Sequence, residues 1–248
     1  MKTLLLTYLA ILVAGCHFDK LFNTSSGGQP PPAATTATRL AFTTQPLNGT
    51  AGTPLSTVRV SAEDGAGSVV SSFAGGVTVQ LQTNPSGTTL SATVTAANGV
   101  ATFSSLEIDR AAHGYTLIAT ASGTNLVDAT SASFDVAAGP ASILAFTVQP
   151  SNTTAGSRIT PPVQVTAFDT FGNQAATFAG TVTAALGHDG SLLGGTTLSG
   201  TAQVNAVNGV ATFSDLSIGN PSVTYYTLKS GFGTAPVVTE SAQFTVGP

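Results

Sequence analysis

Asn98-Gly-Val-Ala-Thr-Phe-Ser104 is written twice in this chain, the second time as Asn208-Gly-Val-Ala-Thr-Phe-Ser214. Both copies run on into a leucine and an isoleucine two apart, Leu106/Ile108 and Leu216/Ile218. Asn-Gly between two alternating apolar runs is a strong hairpin signal, because the tight turn needs positive φ at both central residues. Outward from this anchor, Leu40-Ala-Phe-Thr43 matches Leu144-Ala-Phe-Thr147, and Ser131-Ala-x-Phe-x-Val136 matches Ser241-Ala-x-Phe-x-Val246. The offset drifts only from 104 to 110 residues. A repeat of that length is a whole domain and not a solenoid turn.

Between the matched pieces the apolar residues recur at period two, the period of a half-buried strand. Leu40, Phe42 and Thr44 share one face, and Val58, Val60 and Ala62 alternate with Thr57, Arg59 and Ser61. Val77, Val79 and Leu81 form a further run, matched by Val182, Ala184 and Leu186. Turns are predicted at 63–67 and at Asp169-Thr-Phe-Gly-Asn173, where Asp, Gly and Asn favour reversal. Phe103 and Phe213 point inward, and the runs 115–121 and 133–137 bring the first repeat to seven strands. Helical periodicity is absent after the leader. The pattern predicts an all-β sandwich, twice.

Composition agrees. Only 7% of the residues are charged against 42% apolar, a balance filled out by Thr, Ser, Ala, Gly and Val, which favours strands over helices held by ion pairs. Net charge is −4 with seven basic residues, so no basic stripe exists for phosphates and nucleic acid is excluded as a partner. A single cysteine rules out an intramolecular disulfide.

That cysteine sits at a telling place. Lys2 is followed by an apolar run over 4–13, and Val13-Ala14-Gly15 precede Cys16. The run is too short to anchor as a spanning helix and reads as a signal peptide over 1–15. Its end resembles a bacterial lipobox, which implies cleavage and lipid attachment at Cys16. The plainer alternative is an ordinary signal peptide whose cysteine falls there. His17 rather than Asp follows, which in bacterial lipoproteins implies sorting to the outer membrane. Residues 16–38, rich in Ser, Gly, Pro and Thr, are predicted to be a lipidated flexible tether.

Gln149-Pro-Ser-Asn-Thr-Thr-Ala-Gly156, Asp169-x-x-Gly-Asn173 and Asn208-Gly-Val-Ala-Thr-Phe-Ser-x-Leu-x-Ile218 together resemble bacterial immunoglobulin-like repeats of the invasin and intimin type. The resemblance implies two tandem Ig-like β-sandwich domains, 39–139 and 140–248. Val60 and Leu117 stand where antibody domains place their paired cysteines. His113-Gly-Tyr-Thr-Leu117 resembles a tyrosine corner built on Tyr115. Its counterpart is Tyr226, which lacks the preceding glycine and has Tyr225 as a competitor.

Candidate chemistry is sparse. The histidines are His17, His113 and His188, and the His188-Asp189 pair lies in a glycine-flanked loop. Glu63, Asp64, Asp128, Asp135 and Asp169 are too dispersed to form a calcium loop, which needs six to eight oxygens. Asn23, Asn48 and Asn152 open Asn-x-Thr/Ser triplets that mark loops. No catalytic, cofactor or metal residues are expected, and the chain is not read as an enzyme. It reads as a cell-envelope lipoprotein whose Ig-like module spaces or adheres, held to the membrane by its N-terminal lipid and offering a surface to a protein or glycan. The alternative is a carbohydrate- or protein-binding accessory module of an envelope complex. The short link Ala138-Gly-Pro-Ala141 predicts repeats lined up end to end, with the loop 187–195 facing a partner.

Overall fold

The computed structural model describes residues 35–233 and 238–248. The signal peptide, Cys16, His17, Asn23 and most of the tether lie outside the described residues. Residues 37–248 form one compact unit. Every regular element described in it is a strand.

The first repeat comprises β1 (Arg39–Thr44), β2 (Gly49–Thr50), β3 (Val58–Glu63), β4 (Gly76–Thr83), β5 (Ser91–Thr95), β6 (Val100–Phe103), β7 (Ala112–Thr120), β8 (Ala129–Thr130) and β9 (Phe134–Ala137). They form two sheets, ordered β1-β3-β6 and β2-β9-β7-β4-β5, with β8 also on β7. This is an immunoglobulin-like sandwich. The second repeat begins with β10 (Ile143–Val148), β11 (Thr153–Thr154), β12 (Val163–Phe168), β13 (Thr181–Leu186), β14 (Leu198–Ser199) and β15 (Gln203–Asn205). It closes with β16 (Val210–Phe213), β17 (Ser217–Ile218), β18 (Leu228–Phe232), β19 (Thr239–Glu240) and β20 (Val246–Gly247). Its main sheets run β10-β12-β16 and β15-β13-β18-β19, with β11 on β20 and β14 on β17.

Each repeat has its own core. Val58, Val60, Phe103, Tyr115, Leu117 and Phe134 belong to one buried cluster. Val163, Val165, Phe213, Tyr226, Leu228 and Phe244 belong to another. Fully burying one such large side chain stabilises by about 1.5–3 kcal/mol.

The first strand of each repeat changes sheets, and duplicated side chains take over where the ladder breaks. β1 runs antiparallel to β3, then β2 runs parallel to β9 in the opposite sheet. At the crossing, Gln45 donates to Phe42 O and accepts from Ala132 N, while Asn48 accepts from Asp135 N at 2.9 Å. Gln149 repeats this with Phe146 O and Ala242 N, and Asn152 with Thr245 N. The duplicated serines do likewise: Ser131 Oγ accepts from Leu117 N, and Ser241 Oγ from Leu228 N, each at 2.9 Å. Buried backbone groups need such partners wherever no strand lies alongside.

At the anchor stretch the turn is tight, with φ of 51° at Asn98 and 80° at Gly99, and 50° and 78° at Asn208 and Gly209. Ala97 and Val100 exchange both hydrogen bonds across it, as do Val207 and Val210. The hairpin ends there. β5 continues into the β4 sheet and β6 into the β3 sheet, so this turn carries the chain from one layer of the sandwich to the other.

One alternation is corrected. Ser61, read as the polar face of β3, is fully buried, and Glu63 is 8% exposed. Ser61 Oγ donates to Glu63 Oε1, and Arg39 pairs with Glu63 Oε2 at 3.0 Å. Residues two apart on a strand share a face. The glutamate therefore reaches back over the small serine, and arginine neutralises it.

Candidate functional site

Three places concentrate polar interactions, and all lie at repeat ends. The first is the pair of tyrosine corners. Tyr115 is wholly buried, and its phenol donates to Arg110 O at 2.8 Å with Ser86 Oγ at 2.6 Å. Tyr226 is equally buried and donates to Asn220 O at 3.1 Å, with Thr196 Oγ1 at 3.5 Å. Tyr225, the rival, instead stacks on His188 with ring centroids 4.4 Å apart. Each corner ring packs near a phenylalanine of the following strand region, Phe134 or Phe244. Phe103 and Phe213 are buried at 2% and 1% exposure.

The second is the joint between repeats. Asp169 is 1% exposed. Its Oδ1 accepts from the Phe171 and Asn173 amides, and its Oδ2 from Gly139 N and Asn173 Nδ2, all at 2.8–2.9 Å. Asn173 in turn donates to Asp109 O and accepts from Ala111 N, and Arg110 donates to Phe171 O. Thus the turn at 169–173 serves as a clamp on the first repeat. Burial alone would raise the Asp169 pKa, but the Asn173 side chain and amide, with Gly139 and Phe171, hold it below the ordinary value.

The third is the loop between β13 and β14. Both repeats share Gly-Thr-Thr-Leu-Ser, at 87–91 and 195–199. From Leu81 to Gly87 the first repeat has seven residues, whereas Leu186 to Gly195 has ten. The longer loop carries Leu192 and Leu193, exposed by 76% and 94%. It is held at both ends. Asp189 accepts from the Ser191 and Thr196 amides at 3.0 and 2.8 Å, and Gly190 O accepts from Val223 N. A β-carbon on Gly190 would lie 2.2 Å from Tyr225 O, so only glycine fits beneath that backbone. The Ser191 amide is the largest influence holding the Asp189 carboxyl down at about 2.

His188 and Asp189 therefore form no dyad: the imidazole stacks on Tyr225 while the carboxylate is engaged by its own loop. His113 pairs with Asp135 at 2.9 Å, and that hydrogen bond, followed by the one from the Gly114 amide, lowers the Asp135 pKa. Asp64 caps its turn by accepting from Ala66 and Ser68 amides. No group of three His, Cys, Asp or Glu suited to a metal occurs among the described residues. Sequence reading saw the Asp169 turn but not its reach to Gly139. The alignment of the Gly-Thr-Thr-Leu-Ser segments was the signal that would have exposed the longer loop.

No family model matches the chain, and no curated protein matches it. Among solved structures, the Escherichia coli adhesin FdeC is 17% identical with a TM-score of 0.37, over 87% of this chain and 66% of its own. Invasin, a bacterial integrin-binding protein, is 16% identical with a TM-score of 0.32, over 84% of this chain and 39% of its own. A glycosyl hydrolase family 2 member from Bacteroides cellulosilyticus is 13% identical with a TM-score of 0.36, over 80% of this chain and 23% of its own. The chain spans less than two thirds of the length of each of these structures.

Proposed function

We propose that the chain is a non-enzymatic cell-envelope lipoprotein in which two Ig-like domains, 39–139 and 140–248, act as a spacer and adhesion module. Cys16 carries the lipid, residues 16–38 form the tether, and the outer membrane is the site of display. The observation that carries the reading is the clamp at the joint. A buried carboxylate that takes amides from both sides of the link couples two separately packed cores, which is what a stiff spacer requires. A freely jointed pair needs no such contact.

Labelling of cells that express the full chain, with radioactive palmitate, tests the anchor. The wild-type chain takes up label and is digested by protease added to intact cells, and Cys16→Ser takes up none. Label on Cys16→Ser, or protection of the wild-type chain on intact cells, overturns the reading.

A further inference from the structure

We propose that the loop 187–196 of one copy seats in the groove at the repeat joint of a second copy, so that the adhesion module binds itself. The loop's apolar tip has no role in its own fold, since the first repeat closes the same sandwich without Leu192 and Leu193. Yet the loop is pinned by Asp189, by Gly190 beneath Tyr225, and by Thr196 beside Asn220. An exposed apolar pair on a pre-formed support loses little freedom on binding. Val223, 61% exposed, adjoins it through its hydrogen bond to Gly190.

The chemistry of the tip selects against a membrane. No lysine or arginine occurs between Arg158 and Lys229, so nothing draws this end to anionic headgroups. Asp189, at its base, stays ionised. A protein surface of matching apolar character is left, and the same chain carries one. A groove of about 310 Å³ runs along the joint, lined by Ala112, Val136, Ala137, Ala138, Ala176 and Thr177. Its small side chains leave room for a leucine. Its one ionisable rim residue, His113, is paired with Asp135. Knob and groove are thus both apolar, and neither offers a bare charge to repel the other. They are different surfaces, so each copy has one of each to offer. A tip of so few side chains is smaller than a standard interface, so the contact is weak and micromolar or looser.

The proposal rests on the adhesion reading for its setting, but its test does not need the lipid. In the full chain, Cys16→Ser removes the sole cysteine. On that background a Leu193→Cys chain is mixed with an Ala176→Cys chain under mild oxidation, and separately with a Val69→Cys chain as a control away from the groove. The first mixture is expected to cross-link about tenfold more than the second, and Leu193→Ser is expected to abolish concentration-dependent association in sedimentation, with unchanged unfolding. Equal cross-linking in both mixtures, or a monomer at all concentrations, overturns the proposal. So does binding of the wild-type chain to phosphatidylcholine vesicles that Leu193→Ser removes, which would assign the tip to lipid.

Discussion

The Asp169 carboxylate accepts the Gly139 amide at 2.9 Å, thirty residues back along the chain and on the other side of the link between repeats. The same oxygen takes Asn173 Nδ2, and the other oxygen takes two amides of its own turn. One buried side chain thus organises the turn and the joint together. Asp169→Ala is expected to destabilise the chain by about 1–3 kcal/mol, the cost of leaving buried donors unpaired. It is also expected to broaden the distance distribution in small-angle scattering. Unchanged scattering with unchanged stability would remove the clamp from the account.

Phe103→Ala and Phe213→Ala are each expected to cost about 3–5 kcal/mol, because both rings fill closed cores. Since the two cores are separate clusters, calorimetry is expected to show the loss mainly in the repeat that carries the substitution. One transition moving as a whole in both variants would show that the repeats unfold as a single unit.

The two tyrosine corners differ in a way that stability measurements resolve. Tyr115 has two close partners, at 2.6 and 2.8 Å, whereas Tyr226 has one at 3.1 Å and a second at 3.5 Å. Tyr→Phe keeps the ring and deletes only the hydroxyl, at about 1 kcal/mol per hydrogen bond lost. Urea unfolding is expected to show a larger loss for Tyr115→Phe than for Tyr226→Phe. The reverse order would mean that the hydroxyls do not govern the corners.

Acid is expected to loosen the loop that carries Leu193. A carboxyl held below its unfolded value binds its proton more weakly when folded, so its contribution is present above the unfolded pKa and lost as pH falls. For Asp189 the ordinary value is 3.8 and the folded value about 2. The amides of Ser191 and Thr196 should therefore keep their chemical shifts down to about pH 4 and change between there and about pH 2. Asp169 is shifted in the same direction, so the joint weakens in acid as well. An Asp189→Asn chain that shows the same acid transition in those amides would trace it to another group.

Much of the architecture was legible in short-range chemistry. Asn98-Gly99 and Asn208-Gly209 need no distant partner to specify their turns, because positive φ is a property of the two residues themselves. Period two likewise separates Val58, Val60 and Ala62 from Arg59 without knowledge of the neighbouring strand. Duplication then extends the all-β class to both halves. The candidate sites were less legible. Of the joint, the sequence displayed only a turn at 169–173, and of the β13–β14 loop only glycines and a His-Asp pair.

What the tertiary structure alone decided are the pairings across long separations. Gln45 meets Ala132, 87 residues away, and Gln149 meets Ala242 across 93. β5 and β6 part into opposite layers after one closing pair, and Ser61 disappears beneath Glu63 on the face that alternation assigned to solvent. Local propensity acts over a few residues, so it chooses turns and strand faces. Which buried amide a side chain must satisfy depends on where the two sheets and the two cores come to rest, and that is settled only when they pack.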